Sequence, residues 1–219
     1  VKRQYGRDCV VIPYGAEVIH PGSDRLGELG LQSKDYHLIV ARFEPENHVL
    51  DAVHAYRESH EARTLVVVGS APYSDWYVEK VHEAARNDPR ISFVGGIYDQ
   101  ALLDQLYANA ITYIHGHSVG GTNPSLLRAM GAGAPVLGFD VEFNREVTDG
   151  NAWFWPDADA LTSLLDQVAD GTHDLELERL SELGRQRILD AYQWEAVTDK
   201  YEELIARLYA SGKKGTGRG

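Results

Sequence analysis

A glycine-rich segment of the 219-residue sequence has the composition of an anion-binding loop. It runs from Gly116 to Asn123, after an apolar run and before a predicted helix that starts at Pro124. Glycine lets the backbone approach a ligand closely, and Thr122 or Asn123 can cap the helix. The unpaired N–H groups and the positive dipole end of a helix N-terminus attract phosphate. A strand-to-helix turn that binds nothing fits the same pattern, so both interpretations stay open.

A second candidate for anion binding is Arg42, which follows an apolar run at residues 37–41. A planar guanidinium at the carboxyl end of a strand can bind a diphosphate through two parallel hydrogen bonds. The alternative is an ion pair with Glu44 or Glu46, which contributes little at a protein surface. The position directly after a strand favours the anion-binding role.

Two histidines, His115 and His117, stand two residues apart at the end of a predicted strand and can face the same side. A metal site needs further ligands, and the neighbouring sequence offers no obvious carboxylate for it. We therefore expect no metal, with one histidine packed and the other lining a cleft. Donation from one of them to a phosphate or a sugar hydroxyl stays open. Trp153 and Trp155, spaced for one face of a strand, are expected in the core rather than as a stacking platform.

Composition and charge exclude several classes of protein. Formal charges of 21 Lys and Arg against 33 Asp and Glu leave a net charge of −12, which argues against nucleic-acid binding. The single cysteine, Cys9, excludes an internal disulfide and a cysteine zinc cage. Neither the dinucleotide pattern G-x-G-x-x-G nor the P-loop pattern occurs in the glycine-rich loop. With no membrane-spanning run and no signal peptide, we expect a cytoplasmic protein, and the start at Val1 suggests a piece of a longer chain.

Short apolar runs alternate with longer amphipathic ones, which predicts β-α-β units around a parallel sheet. The predicted strands are 37–41, 64–68, 91–94, 111–115, 135–139 and 152–155. The predicted helices include 46–60, one capped by Asp99, 124–131, 144–147, 159–170, 175–191 and 195–210, followed by a flexible tail at 211–219. The sequence therefore predicts a single doubly wound α/β domain, with its ligand site at the carboxyl ends of the strands.

The order of these segments resembles the C-terminal domain of family 4 glycosyltransferases with the GT-B fold. The segments that carry the resemblance are 11–17 (VIPYGAE), 40–47 (VARFEPEN), 66–69 (VVVG), 93–97 (FVGGI), 127–136 (LRAMGAGAPV) and 192–195 (YQWE). The segment 117–124 (HSVGGTNP) resembles a subgroup of bacterial rhamnosyltransferases and related sugar transferases. The resemblance extends from about residue 10 to residue 210.

The resemblance implies a Rossmann-like domain with C-terminal helices, spanning residues 1–210, that forms the donor-binding half of a two-domain enzyme. The N-terminal acceptor-binding domain would precede Val1. The implied reaction retains anomeric configuration and moves a sugar from a nucleotide diphosphate sugar to an acceptor hydroxyl, in polysaccharide or glycoconjugate synthesis. No metal or separate cofactor is implied, and any contact with the inner face of the membrane is expected through the missing half. The alternatives are a degenerate, non-catalytic GT-B module and a nucleotide-sugar epimerase of the same architecture.

Residue by residue, the resemblance makes Arg42 the counterpart of the arginine that holds the donor diphosphate. The backbone amides of Gly121, Thr122 and Asn123 would receive the same diphosphate, and the main chain of Ile97 would bind the base. The remaining donor-binding candidates are Gly15, Gly69 and His117.

Three positions depart from the family pattern. Asn47 replaces a lysine that assists the arginine, and Gly120 and Arg128 replace the two glutamates of the E-x7-E pattern. Gly120 offers only backbone to the transferred sugar, and Arg128 cannot accept hydrogen bonds from ribose hydroxyls. Arg128 either supplies positive charge to a phosphate in place of the lysine, in a catalytic role beside Arg42, or marks a damaged donor site.

Overall fold

A single six-stranded sheet lies at the centre of the molecule. The computed structural model describes Gly6 and residues 9–69 and 75–215. Neighbouring strands are parallel, and their order is β3-β2-β1-β4-β5-β6. The strands are β1 Tyr36–Val40, β2 Thr64–Val68, β3 Ile91–Gly95, β4 Tyr113–His115, β5 Val136–Phe139 and β6 Trp153–Trp155. The chain reverses its direction of winding between β1 and β4, so the crevice for a ligand is expected at their carboxyl ends.

The connections between strands are helical. In the described part of the chain the α-helices are α1 Val49–Glu58, α2 Asp75–Ala84, α3 Gln100–Asn109, α4 Pro124–Ala132, α5 Glu142–Thr148, α6 Ala158–Ala169, α7 Asp174–Ala191 and α8 Trp194–Gly215. Short 3-10 turns occupy Leu26–Leu29 and Pro45–Asn47. None of the helices described has the length and the apolar run that a membrane span requires.

Alternating side chains of the strands build a separate core on each face of the sheet. In β2, Leu65 and Val67 point to one face, whereas Val66 and Val68 point to the other. Side chains of α1, α2 and α6 cover the first face, and those of α3, α4 and α7 cover the second. A fully buried aliphatic side chain contributes about 1.5–3 kcal/mol, so two apolar faces hold the sheet between two helical layers. The predicted doubly wound α/β fold is confirmed.

The helix predicted at 46–60 begins later, at Val49. His48 adopts a left-handed conformation with φ of 48°, which separates the 3-10 turn from α1. Its ring compensates for this backbone strain, because Nδ1 lies 2.6 Å from Oδ2 of Asp51 and the ring stacks on Phe139 with centroids 4.1 Å apart. Local periodicity did not reveal this interruption.

The C-terminal helix α8 ends at Gly215, beyond the predicted end at Ala210. The first five residues of the predicted flexible tail at 211–219 are therefore helical, and residues 216–219 lie outside the described residues.

The segment before β1 crosses the second helical layer without forming a strand. The Ala16 N–H donates to the Tyr192 carbonyl at 2.7 Å, and the Ile19 N–H donates to the Gly131 carbonyl at 3.0 Å. These bonds hold the segment against the C-terminal ends of α4 and α7. They also bring Gly15 to the same edge of the sheet as the loops that follow β1 and β4.

Candidate functional site

A cleft of about 590 Å3 opens at the carboxyl ends of the central strands. The ends of β1 to β4 and the loops that follow them line it, together with the first residues of α4. The polar or flexible lining residues are Arg42, Glu44, Glu46, Asn47, Gly69, Gly96, Tyr98, His117, Asn123 and Ser125. The cleft therefore lies where the strand order predicts a ligand site, and it contains the predicted residues Arg42, Asn47, Gly69, Ile97, His117 and Asn123.

The loops after β1 and β4 are joined to each other beneath the cleft. The backbone N–H of Ser118 donates to the Glu46 carbonyl at 2.9 Å, and its hydroxyl donates to the same oxygen at 3.0 Å. Gly116 lies so close to the Asn47 carbonyl that a Cβ atom would collide with it. The two loops thus form a continuous floor.

Arg42 is exposed at the cleft, with 75% of its side chain accessible. Its Nη1 lies 3.3 Å from Oε1 of Glu44, which is an exposed single contact rather than a bidentate pair. Such a pair contributes less than about 1 kcal/mol, so an anionic ligand can replace Glu44 at little cost. The structure thus contains the ion pair that the sequence offered as an alternative, in a form that leaves most of the guanidinium accessible.

Asn47 is buried beneath Arg42. Its Nδ2 donates to the Arg42 carbonyl at 2.9 Å and so fixes the backbone that carries the guanidinium. Because the side chain is uncharged and engaged with the backbone, it supplies no positive charge to the cleft. The family resemblance identified the loss of the lysine charge at this position. It did not reveal that Asn47 instead holds the Arg42 backbone.

The two histidines divide as predicted, with one packed and one at the cleft. His115 is fully buried, whereas His117 lines the cleft. Their rings stack with centroids 4.5 Å apart and an interplanar angle of 11°. Burial, and then the charge of Arg42, lower the pKa of His117 to about 4, and burial holds the pKa of His115 well below its usual range. Both rings are therefore neutral at pH 7.

The N-terminus of α4 faces the cleft and is capped as expected. Asn123 is the cap, because its Oδ1 accepts from the Ser125 N–H at 2.9 Å, and Pro124 occupies the first turn. The same oxygen accepts from the Ser125 hydroxyl at 2.7 Å, and the buried Tyr113 hydroxyl donates to Ser125 Oγ at 2.9 Å. Thr122, the other capping candidate, does not take this role.

The positions around the cleft are occupied by glycine for different physical reasons. Gly69 has a φ of +145°, and a Cβ atom there would collide with the Ala41 carbonyl, so packing and conformation both require glycine. Gly120 has a φ of +126°, a backbone conformation that residues with a side chain rarely adopt. Gly121 has no such φ, and a Cβ atom there would meet no atom of the described residues within 4 Å. Close approach of a ligand is a reason for glycine at this position that the protein's own packing does not supply. Gly120, Gly121 and Thr122 lie between the lining residues Val119 and Asn123 and do not themselves line the cleft.

A second cavity of about 440 Å3 adjoins the first and shares Val40, Pro124 and Ser125 with it. Arg128 lines this second cavity, so the two predicted catalytic arginines do not line the same space. Gly15 lies here too, beneath the indole of Trp194, which leaves no room for a side chain.

Arg128 is paired within this second cavity. Its Nε and Nη2 donate to the two carboxylate oxygens of Asp104 at 2.5 and 2.6 Å, and these bonds raise its pKa. Gln100 Nε2 donates to the same carboxylate at 2.9 Å. The positive charge of Arg128 is therefore offset by the Asp104 carboxylate on the neighbouring helix α3.

Several site residues were missed by the sequence reasoning. Tyr98 and Val119 line the cleft, and Asn144 on α5 donates from Nδ2 to the His117 carbonyl at 3.0 Å. Asp104 neutralises Arg128 from α3. Tyr98 directly follows the segment 93–97 and Val119 lies within the segment 117–124, so their positions were a usable signal, whereas no local pattern marks Asn144 or Asp104. No group of three or more potential metal-ligating side chains occurs among residues 9–69 and 75–215.

Trp155 is fully buried and its indole N–H donates to the Leu137 carbonyl at 3.0 Å, which confirms its place in the core.

The strand order and the position of the cleft define a Rossmann-like α/β domain of the kind that forms one half of a GT-B fold. Residues 34–171 match the family described as Glycosyl transferases group 1. The chain belongs to this family. No curated protein sequence gives a significant match to the chain.

Solved structures show the same fold. Sucrose-phosphate synthase from Thermosynechococcus elongatus is 22% identical, with a TM-score of 0.78 over 91% of this chain and 52% of its own. Anabaena Alr3699/HepE in complex with UDP-glucose is 16% identical, with a TM-score of 0.73 over 84% of this chain and 52% of its own. The pneumococcal O-GlcNAc transferase GtfA in complex with UDP and GlcNAc is 17% identical, with a TM-score of 0.71 over 94% of this chain and 41% of its own. The chain thus spans about half the length of the first two structures, and at these identities the similarity concerns the fold.

Proposed function

We propose that this chain is the donor-binding half of a glycosyltransferase that moves a sugar from a nucleoside diphosphate sugar to an acceptor hydroxyl. The observation that carries the proposal is the meeting of Arg42 and the N-terminus of α4 in one cleft at the winding reversal of the sheet. Family membership supports the reaction class. The similarity of fold to proteins solved with UDP or UDP-glucose supports a nucleotide sugar as the donor.

The chemistry follows from charge that develops on the leaving diphosphate as the sugar–phosphate bond breaks. The exposed guanidinium of Arg42 can form charge-assisted hydrogen bonds to phosphate oxygens. The positive end of the α4 helix dipole stabilises negative charge from the adjacent side. These groups are held in place before the ligand arrives, because Asn47 fixes the Arg42 backbone and Ser118 fixes the facing loop.

The finer assignments rest on the sequence resemblance. They are a retaining mechanism, transfer of a hexose, a place in bacterial polysaccharide or glycoconjugate synthesis, and relation to the rhamnosyltransferase-like subgroup with H-x-V-G-G-T. We further propose that the acceptor is bound by an N-terminal domain, which also makes any contact with the cytoplasmic face of a membrane. On this basis the 219 residues alone bind donor without turnover, and glycosyl transfer by this chain in isolation would contradict the proposal.

A second candidate function is a GT-B module that has lost catalysis and serves protein contacts. The observation in its favour is the Arg128–Asp104 pair, which places a neutralised cation where the resemblance expects an acceptor for ribose hydroxyls. The lost lysine at Asn47 points the same way. Both departures concern the donor site, so donor binding distinguishes the two functions.

The test is a thermal-unfolding titration of the chain with UDP, GDP, TDP and their glucose or rhamnose conjugates. A ligand at a hundred times its Kd stabilises the folded state by about 2.7 kcal/mol, which raises Tm by about 5–10 °C for a domain of this size. We expect a rise in Tm with one nucleoside diphosphate and a smaller one with its monophosphate. A panel without any effect at millimolar concentration would refute the donor site and favour the non-catalytic module.

A further inference from the structure

The imidazole of His117 presents its two nitrogens to different surroundings. Nδ1 is buried and has no hydrogen-bond partner. The ring also lines the cleft that contains Arg42, and Nε2 is not among the buried unpartnered atoms. Nε2 is therefore the nitrogen that can meet a ligand.

The position of the ring is fixed before a ligand binds. It stacks on His115, which is fully buried and whose Nδ1 lies 3.2 Å from the Tyr113 hydroxyl. The His117 carbonyl accepts from Asn144 Nδ2 at 3.0 Å, and the next residue, Ser118, is bonded to the Glu46 carbonyl. A ring stacked on one face and carried by a backbone that is hydrogen-bonded in place loses little conformational entropy when it binds.

Three features keep the ring uncharged. Burial disfavours the imidazolium, and the positive charge of Arg42 disfavours it further. Protonation would also place an N–H on Nδ1, where no acceptor lies within reach. The other charged or titratable groups lining the cleft are Glu44, which pairs with Arg42, and Glu46 and Tyr98. From the remaining packed elements, β4 contributes the neutral His115 and α5 contributes the uncharged amide of Asn144.

The same asymmetry selects the tautomer of the neutral ring. A proton on Nδ1 would be a buried N–H without an acceptor, which is rare in folded proteins and costs about 1–3 kcal/mol. A proton on Nε2 is exposed to the cleft, where water or a ligand can accept it. The ring is thus a neutral N–H donor directed into the cleft beside an accessible guanidinium.

We propose that His117 binds the diphosphate of the sugar donor as an uncharged hydrogen-bond donor through Nε2, next to Arg42. The inference rests on the proposed donor site and goes beyond it, because it assigns the tautomer, the charge state and the atom that acts. It assigns the second side-chain contact of the diphosphate to a group whose charge does not change between pH 5.5 and pH 8.

The experiment measures the affinity of the tightest-binding nucleoside diphosphate among UDP, GDP and TDP by calorimetry. His117→Phe keeps a flat ring against His115 but removes the donor, and we expect Kd to rise about tenfold or more, as for a hydrogen bond to a charged group. His117→Gln restores an uncharged N–H donor and should remain within about threefold of the wild type. His54→Ala, an exposed histidine on α1 outside the cleft, is the matched control and should leave Kd unchanged.

A second measurement needs no variant and no ligand. Nitrogen-15 NMR of the ring should show a protonated Nε2 and an unprotonated Nδ1 from pH 8 to pH 5.5. Protonation of both nitrogens in this range, or wild-type affinity in His117→Phe, would overturn the inference while leaving the donor site intact. Failure of the wild-type chain to bind any of the three nucleotides would instead overturn the proposed function.

Discussion

Arg128 on α4 binds both carboxylate oxygens of Asp104 on α3, with Nε–Oδ1 and Nη2–Oδ2 distances of 2.5 and 2.6 Å. The pair lies in the cavity next to the one that contains Arg42. Its geometry satisfies the Asp104 carboxylate and offsets the arginine charge. This arrangement counts against the interpretation that Arg128 replaces the lysine lost at Asn47, because a neutralised cation attracts phosphate weakly.

The first prediction concerns the stability of this pair. Arg128→Ala should lower the free energy of unfolding by about 1 kcal/mol, because the Asp104 carboxylate is left half-buried with Gln100 as its remaining side-chain donor. The effect is modest since 38% of the Arg128 side chain is exposed. Urea unfolding of both single variants and of Arg128→Ala with Asp104→Ala gives the coupling energy. Strictly additive effects would mean that the two side chains act independently.

The second prediction concerns Arg42. Arg42→Ala should weaken binding of the nucleoside diphosphate about tenfold to a hundredfold, because a bidentate charge-assisted contact is lost. The affinity of Arg42→Lys should lie between those of the wild type and Arg42→Ala, since an ammonium keeps the positive charge but lacks the planar fork. Stability should change by less than about 0.5 kcal/mol, given the exposure of the side chain.

The matched control for Arg42 is Arg179→Ala on α7, another exposed arginine with a carboxylate partner. It should leave nucleotide affinity unchanged. Equal losses in Arg42→Ala and Arg179→Ala would show that the effect reflects the overall charge of the chain rather than a contact in the cleft.

The third prediction separates two glycines of the site. Gly121→Ala should leave Tm unchanged, since its backbone is unstrained and the space around it is open, yet it should weaken nucleotide binding about tenfold. Gly69→Ala should instead destabilise the fold by about 3 kcal/mol, through its φ of +145° and a collision with the Ala41 carbonyl. Thermal unfolding and calorimetry on both variants distinguish the two effects. Unchanged affinity in Gly121→Ala would argue that the loop is a turn without a ligand.

The fourth prediction is a dependence of stability on pH. The pKa of His115 is held well below its usual range, first by burial and then by repulsion from His117. The unfolded chain therefore binds more protons than the folded one below about pH 6.5, and stability falls as the pH decreases. Because of this histidine, lowering the pH from 7 to 5 should reduce the free energy of unfolding by about 2 kcal/mol.

Urea unfolding at both pH values tests this prediction. His115→Gln should lose about 2 kcal/mol less than the wild type on acidification. His54→Gln, at an exposed position of α1, should behave as the wild type does. An identical loss in His115→Gln and in the wild type would assign the acid sensitivity to other groups.

The fold was largely predictable from the sequence. The strand predicted at 64–68 coincides with β2, and the others agree with β1 and β3–β6 to within two residues at each end. Buried β-branched runs and their glycine and proline boundaries are local signals, so the alternation of strands and helices was sufficient to predict a doubly wound sheet. The winding reversal then placed Arg42 and His117 at the same edge.

The finer features of the site depend on contacts between distant segments. Asp104 and Arg128 are 24 residues apart, and Glu46 and Ser118 are 72 residues apart. Periodicity and capping signals describe a single helix or turn, and they carry no information about which polar groups meet across the sheet edge. For the same reason the sequence identified the missing charge of Asn47 but not the bond that Asn47 makes to the Arg42 carbonyl.

Ser118 makes two hydrogen bonds to one carbonyl of the neighbouring loop, and this arrangement has a consequence for engineering. Transplanting only the segment 116–123 from a relative without a hydroxyl at position 118 would remove the side-chain donor to the Glu46 oxygen and leave the backbone N–H as its donor from this loop. Chimeras of this site should therefore exchange residues 41–47 and 116–123 together. Exchanged as a pair, the two segments take residue 118 and the carbonyl of residue 46 from the same parent chain.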